Sequence, residues 1–176
     1  HRLYNANPDG GGEINCIPGT TKEIIKKPIQ KSKTLSIIVS NAPRDSRSFT
    51  NYSKRKDLVD KLLNSDLEFD MYGRSWDLSD TRYKGPLSNK IHGTIDYKYT
   101  ICLENSSISG NISEKFIDAV LCNTIPIYNG HKDIETFYPN CCEYLDYDGN
   151  EIERIRQIIH SGKTMNDYKF KEAADL

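Results

Sequence analysis

The feature that most constrains the fold is a repeated alternation of short apolar segments with helical segments. Five segments are apolar and short enough to be buried strands: 34–40, 67–72, 97–103, 125–128 and 142–145. Helical spacing predicts helices over 54–63, 111–122, 133–137 and 150–160, and a last helix over 166–174. Short apolar strands that alternate with helices predict an α/β fold, in which a parallel sheet is covered by helices on both faces.

Residues 1–31 lack this alternation. They contain Pro8-Asp9-Gly10-Gly11-Gly12 and then several lysines, which predicts a loop-rich lead-in or linker. Residues 32–176 follow as one predicted Rossmann-like domain. Within it, residues 74–96 are polar and irregular, and Trp76 is expected to pack against the core or anchor this loop.

Composition excludes several classes of protein. The chain has 176 residues with 24 Lys and Arg against 25 Asp and Glu, and its net charge of −1 does not indicate a nucleic-acid-binding surface. No segment approaches the roughly 18 apolar residues of a membrane span, and the first residues lack a signal-peptide pattern, so a cytoplasmic location is the default expectation. Five cysteines without C-x-x-C spacing and four scattered histidines predict no metal site.

The polar loop between Leu103 and Phe116 is the best candidate site, because ligands of such sheets bind beyond the carboxyl ends of the strands. Asn111 is a predicted N-cap, and Glu114, three residues later, completes a capping-box pattern. A well-capped helix is one interpretation. However, Lys115 faces the positive end of the helix dipole at a cost of roughly 0.3–1 kcal/mol, which a bound anion would offset.

A nucleoside diphosphate matches this pattern. Lys115 would neutralise phosphate oxygens, and Glu114 could accept hydrogen bonds from the vicinal hydroxyls of a ribose. Arg55 is another cation at a predicted helix start. Composition alone favours a solvated member of the run Lys54-Arg55-Lys56, but three adjacent cations at the positive end of a helix dipole also indicate attraction of an anion. Neither a G-x-G-x-x-G fingerprint nor a P-loop motif is present.

Three ordered motifs connect the chain to a known family. They are Cys102-Leu103-Glu104-Asn105-Ser106, Ser113-Glu114-Lys115-Phe116-Ile117-Asp118-Ala119 and Thr124-Ile125-Pro126-Ile127-Tyr128-Asn129-Gly130. Together they resemble the C-terminal, donor-binding lobe of the α-1,3-fucosyltransferases, which form glycosyltransferase family ten. The resemblance covers residues 33–160.

The resemblance implies a Rossmann-like C-terminal lobe of the GT-B arrangement and inverting transfer of fucose from GDP-fucose to an acceptor glycan hydroxyl. It implies no cofactor and no metal. It places these residues at the donor: Arg55, Glu104, Asn105, Asn111, Ser113, Glu114 and Lys115. By position, Glu114 corresponds to the ribose ligand, Lys115 and Arg55 to the diphosphate ligands, and Asn105 to a further polar contact.

Two departures leave alternatives open. Asn111 stands where better-known members carry an aromatic residue. In addition, the family's general base comes from an acceptor lobe, which residues 1–31 are too short to form. We therefore assign no catalytic base and leave open an acceptor-binding lobe outside this chain. The alternatives are a non-catalytic nucleotide-sugar or glycan-binding module, a transferase for another sugar nucleotide, and a metal-dependent transferase that uses Asp146-Tyr147-Asp148, which a plain turn explains better.

Overall fold

A computed structural model describes residues 30–41 and 51–169. The strands in this part are β1 (Lys33–Ile38), β2 (Asp70–Tyr72), β3 (Tyr97–Cys102), β4 (Ile125–Tyr128) and β5 (Glu143–Tyr144). The α-helices are α1 (Tyr52–Leu63), α2 (Glu114–Leu121), α3 (Ile134–Phe137) and α4 (Glu151–His160). Two short 3-10 helices cover Lys90–Gly93 and Met165–Asp167. No helix in the described ranges is both long enough and apolar enough to span a bilayer.

All five strands are parallel and lie in the order β2-β1-β3-β4-β5. The predicted α/β class with a Rossmann-like parallel sheet is therefore confirmed. The chain runs outward from β1 to β2, then returns to the other side of β1 to form β3. This reversal leaves a crevice between the carboxyl ends of β1 and β3, which is where ligands bind in open parallel sheets.

The central strands carry the core of the domain. Every residue of β4 is buried, and so are the last four residues of β3. Because successive side chains of a strand point to opposite faces, both faces of the sheet are covered. Tyr99 and Tyr128 are completely buried, so tyrosine rings supply much of the apolar volume, and α1 adds Leu58, Val59 and Leu62.

The differences from the sequence prediction lie at the ends of elements. Strand β5 has two residues instead of four. A helix is predicted over 166–174, but up to residue 169 the structure contains only one 3-10 turn, Met165–Asp167. The rest of the predicted helix lies outside the described residues. The predicted irregular segment 74–96 contains the 3-10 helix Lys90–Gly93, which has no periodic signature because it is only one turn long.

Most of the lead-in predicted over residues 1–31 lies outside the described part of the chain, as does Cys16. The cysteines at 102, 122, 141 and 142 are buried. The prediction that Cys102 and Cys122 are core residues is confirmed.

Candidate functional site

A cavity of about 350 Å³ opens at the carboxyl ends of β1 and β3. It is lined by Ile38, Ser40, Arg55, Gly73, Arg74, Leu87, Lys90, Thr94, Thr100, Ile101, Cys102, Glu114, Lys115 and Asp118. The lining combines an apolar floor from the two central strands with four cations and two carboxylates. In a chain whose net charge is −1, this local excess of positive charge favours an anionic ligand.

The cavity wall includes the start of α2, where one prediction is corrected. The N-cap is Ser113 and not Asn111, since the Ser113 hydroxyl accepts the backbone N–H of Lys115 at 3.3 Å. Asn111 lies two residues earlier, and its amide donates to the Ser106 hydroxyl at 2.9 Å. Glu114 is consequently the first helical residue, so its carboxylate does not close the predicted capping box.

Glu114 lies between two lysines at the cavity wall. Its Oε1 is 2.9 Å from the Lys90 ammonium and 3.4 Å from the Lys115 ammonium. Burial raises the pKa of Glu114, but the two ammonium groups outweigh burial and lower it to about 2. The carboxylate is therefore ionised at neutral pH and can only accept hydrogen bonds.

Arg55 lies in the first turn of α1 and is only 6% exposed. Its Nη1 donates to the Asn105 side-chain oxygen, and its guanidinium lies 5.3 Å from the centre of the Tyr52 ring. Its Nε has no hydrogen-bond partner within the described residues. Burial lowers the pKa of Arg55 from its usual value, which shows that the charge is partly desolvated beside the cavity.

Asn105 holds the loop after β3 against α1. Its backbone oxygen accepts the N–H of Asn51 at 2.7 Å, and the Asn51 side chain donates to the Ser107 hydroxyl at 2.9 Å. Asn105 itself is exposed and is not part of the cavity lining. Its contact with Arg55 fixes the direction of the guanidinium.

Glu104 is almost completely buried, and its Oε1 accepts the backbone N–H of Ser113 at 2.9 Å. This bond connects the end of β3 to the start of α2 and closes the intervening loop. Burial raises the pKa of Glu104, although Lys115 and the bond from Ser113 oppose the rise. The carboxylate supports the site from behind the cavity wall.

The opposite wall follows β2. Gly73 approaches the backbone just after β1 so closely that a Cβ atom there would lie 1.8 Å from the Val39 carbonyl oxygen. Two aromatic side chains anchor the loop, since the Trp76 indole donates to Val39 O at 2.7 Å and the Tyr83 hydroxyl donates to Gly73 O at 2.9 Å. The expected anchoring role of Trp76 is confirmed. The Arg74 guanidinium forms no ion pair or hydrogen bond within the described residues, and it lines the cavity.

The structure brings three of the seven predicted donor residues into one cavity lining: Arg55, Glu114 and Lys115. The other four surround it without lining it: Glu104, Asn105, Asn111 and Ser113. Two cations of the lining, Lys90 and Arg74, were not proposed as site residues from the sequence. Lys90 lies in an irregular segment that gives no sequence signal. Arg74 lies two residues after the end of β2, which is a position where ligand-binding residues occur.

The D-x-D segment forms a turn, as expected. The Asp148 carboxylate accepts the backbone N–H of Asn150 at 2.9 Å just before α4, and Asp146 lies 3.5 Å from the Lys132 ammonium. Among the described residues, no group of three or more His, Cys, Asp and Glu side chains is placed to hold a metal ion.

Comparison with protein families gives a match over residues 28–159 to the C-terminal domain of glycosyltransferase family 10 (fucosyltransferase). The chain is 28% identical over 130 residues to α-(1,3)-fucosyltransferase B of Drosophila melanogaster, covering 66% of this chain and 29% of that protein. It is 32% identical over 133 residues to α-(1,3)-fucosyltransferase fut-5 of Caenorhabditis elegans, covering 66% of this chain and 35% of that protein. The chain thus spans about a third of the length of these curated relatives.

Solved structures give the same result for the fold. A crystal structure of an α1,3-fucosyltransferase with GDP matches 84% of this chain and 39% of its own, with a TM-score of 0.56 and 23% identity. A structure of an α1,3-fucosyltransferase with GDP-fucose matches 85% of this chain and 40% of its own, with a TM-score of 0.54 and 19% identity. The similarity confirms the Rossmann-like arrangement of the sheet and helices.

Proposed function

Because the chain belongs to glycosyltransferase family 10, the fucosyltransferases, by its C-terminal domain, we propose that it binds GDP-fucose and serves the inverting transfer of fucose to a hydroxyl of an acceptor glycan. The observation that carries this proposal is the convergence of Arg55, Glu114 and Lys115 on one cavity at the reversal point of the sheet. The likeness to relatives named as α-(1,3)-fucosyltransferases supports the choice of the sugar.

In this proposal, Arg55 and Lys115 bind the diphosphate. As the bond to fucose breaks, negative charge develops on the leaving GDP, and two fixed cations stabilise it. Partial burial strengthens the effect of Arg55, because water screens its charge less than it screens an exposed cation. The Asn105 contact keeps the guanidinium in place before the donor arrives, so little reorganisation is required.

Glu114 binds the ribose in the same proposal. An ionised carboxylate has acceptor oxygens only, which suits the two donor hydroxyls of a ribose and repels the phosphates. Its place at the first residue of α2, beside Lys115, would separate the ribose end of the donor from the diphosphate end. The proposal includes no metal cofactor, because Arg55 and Lys115 supply the positive charge that faces the diphosphate.

Calorimetric titration of the chain with GDP tests the site. Arg55→Ala and Lys115→Ala should each weaken GDP binding by about tenfold to a hundredfold, because each removes a charge-assisted hydrogen bond worth about 1.5–3 kcal/mol. Lys54→Ala is the matched control, since Lys54 lies next to Arg55 on α1, is exposed and does not line the cavity. Equal affinities in all four proteins would contradict the proposed site.

Turnover separates the enzyme from a binding module. Hydrolysis of GDP-fucose, or transfer to an acceptor glycan in the presence of the chain, would support the enzyme. GDP binding without either reaction would favour the non-catalytic nucleotide-sugar-binding alternative. Thermal unfolding with GDP, UDP and their sugars would identify the donor base, because the ligand that binds best stabilises the fold most.

A further inference from the structure

Lys90 is a cavity residue that no motif of the sequence explains. Its ammonium lies 2.9 Å from Glu114 Oε1, the oxygen that also faces Lys115 at 3.4 Å. Glu114 Oε2 accepts no hydrogen bond from another residue within the described part of the chain. The two lysines thus converge on one carboxylate oxygen and leave the other for a ligand.

The backbone that carries Lys90 is held firmly although it lies in a long irregular segment. Asn89 caps the 3-10 helix by accepting the N–H of Ile91 at 3.0 Å. Gly93 is buried, and a Cβ atom there would lie 2.6 Å from the Leu87 side chain and 3.0 Å from that of Ile38 on β1. A single turn packed on the central sheet therefore sets the position of the lysine.

We propose that Lys90 is a positioning residue for the nucleotide: it holds Glu114 by Oε1, so that Oε2 faces the ribose hydroxyls. This inference rests on the proposed function, because it assumes that a ribonucleoside diphosphate occupies the cavity. Lys90 acts through Glu114 and need not touch the donor itself.

The need for a second lysine follows from the charges. A bound diphosphate draws the Lys115 ammonium away from Glu114, because it carries more negative charge than the carboxylate does. Glu114 is partly buried, so without another cation its ionised form would be less well compensated and its pKa would rise. Lys90 supplies that cation from a separate element, and the carboxylate keeps its charge and its direction while the ligand is bound.

The test compares Lys90→Met with Lys84→Met. Lys84 belongs to the same irregular segment, has nearly equal exposure (42% against 43%) and pairs with Asp70 away from the cavity. Binding is measured by calorimetry for GDP and for 2′,3′-dideoxy-GDP, which lacks the ribose hydroxyls. We expect Lys90→Met to weaken GDP binding about fivefold and to leave dideoxy-GDP binding nearly unchanged, whereas Lys84→Met changes neither.

Two further variants distinguish positioning from a merely structural contact. In a Glu114→Gln background, Lys90→Met should cause no additional loss of GDP affinity, because its partner is no longer charged. Lys90→Arg should restore most of the affinity, since it keeps a cation beside Oε1. Additive losses in the double variant would overturn the inference.

A pH profile gives an independent readout. The charged groups around Glu114 are Lys90, Lys115, Arg55 and Glu104. Without Lys90, burial is opposed less and the pKa of Glu114 rises from about 2, so GDP affinity relative to the Lys84→Met control should decline as the pH falls toward 4. If the ratio of the GDP affinities of Lys90→Met and Lys84→Met stays constant as the pH falls, the proposal is contradicted.

The outcomes distinguish a failure of the proposed function from a failure of the Lys90 inference. If the unaltered chain binds no GDP, the proposed function fails. If it binds GDP but Lys90→Met does not weaken that binding, the Lys90 inference alone fails. Equal losses for GDP and dideoxy-GDP would mean that Lys90 contacts the diphosphate directly, which would also overturn the positioning role.

Discussion

Single side chains at the site differ in how far the sequence could identify them. Glu114 and Lys115 were identifiable because an acidic and a basic residue at a predicted helix start are already suited to a nucleotide. Arg55 was ambiguous, since its neighbours Lys54 and Lys56 have the same charge and the same local pattern. In the folded chain, Arg55 lies on the buried face of α1, whereas Lys54 and Lys56 are exposed.

Gly73 makes a prediction about stability at one position. Gly73→Ala should destabilise the fold by about 3 kcal/mol or more, because its Cβ would lie 1.8 Å from the Val39 carbonyl oxygen and the strands would have to separate. Gly85→Ala is the control, since its Cβ meets nothing within 4 Å and only its positive φ of 84° opposes the change. Urea unfolding measures the free energy of unfolding of both variants. Equal losses of stability would refute the explanation by a clash with the Val39 carbonyl oxygen.

Helix α2 shows the limits of prediction at the level of one element. Asn111 and Ser113 are both good N-caps and lie two residues apart, so sequence alone could not choose between them. The structure chooses Ser113 because Asn111 is bonded to Ser106 across the loop, a contact that requires the folded chain. The helix itself was predictable from its apolar residues.

The other end of α2 is held by a partly buried cation, Lys31. The Lys31 ammonium donates to the carbonyl oxygens of Ile95 and Cys122, both at 2.7 Å, and to the Thr124 hydroxyl at 2.9 Å. Cys122 is the C-cap residue of α2, so a positive charge there also complements the helix dipole. Lys31 therefore connects the segment before β1 to the helix that carries Glu114 and Lys115.

Lys31→Met should therefore destabilise the domain by about 1–3 kcal/mol, because three partly buried hydrogen bonds are lost. Burial lowers the pKa of Lys31 to about 8 from its usual 10.5. Between these values the unfolded chain holds a proton that the folded chain lacks, so stability relative to the variant should rise as the pH increases from 8 to 10.5.

Thermal or urea unfolding across this pH range measures the Lys31 effect. Lys98→Met serves as the control, since the Lys98 ammonium makes no hydrogen bond within the described residues. If the difference in free energy of unfolding between Lys31→Met and the unaltered chain does not change with pH, the lowered pKa of Lys31 is contradicted.

The complete sheet was the most predictable part of the protein. The parallel direction of its strands follows from the alternation of apolar strands and helices, because parallel strands need a crossover between them. The order β2-β1-β3-β4-β5 does not follow from that alternation. The position of the cavity at the carboxyl ends of the strands was predictable, but the complete set of residues that line it was not. The cavity walls contain residues that are distant in sequence from one another, such as Lys90 and Arg74. These residues come together only through packing across the sheet.

The overall charge distribution makes a prediction about ligand binding. The chain carries a net charge of −1, whereas the cavity lining gathers Arg55, Arg74, Lys90 and Lys115. GDP binding should therefore weaken several-fold between about 50 mM and about 500 mM NaCl, because salt screens these cations. A chelator should leave it unchanged. Calorimetry measures both, and loss of binding in EDTA would instead support the metal-dependent alternative at Asp146 and Asp148.

The strand order also governs when the site can first exist during synthesis. The crevice needs β1 and β3 side by side, yet more than half of the domain separates the start of β1 at Lys33 from the end of α2 at Leu121. A growing chain has no place for a nucleotide until α2 has emerged from the ribosome. In the proposed function, a nucleotide can therefore stabilise only molecules in which both halves of the sheet have joined.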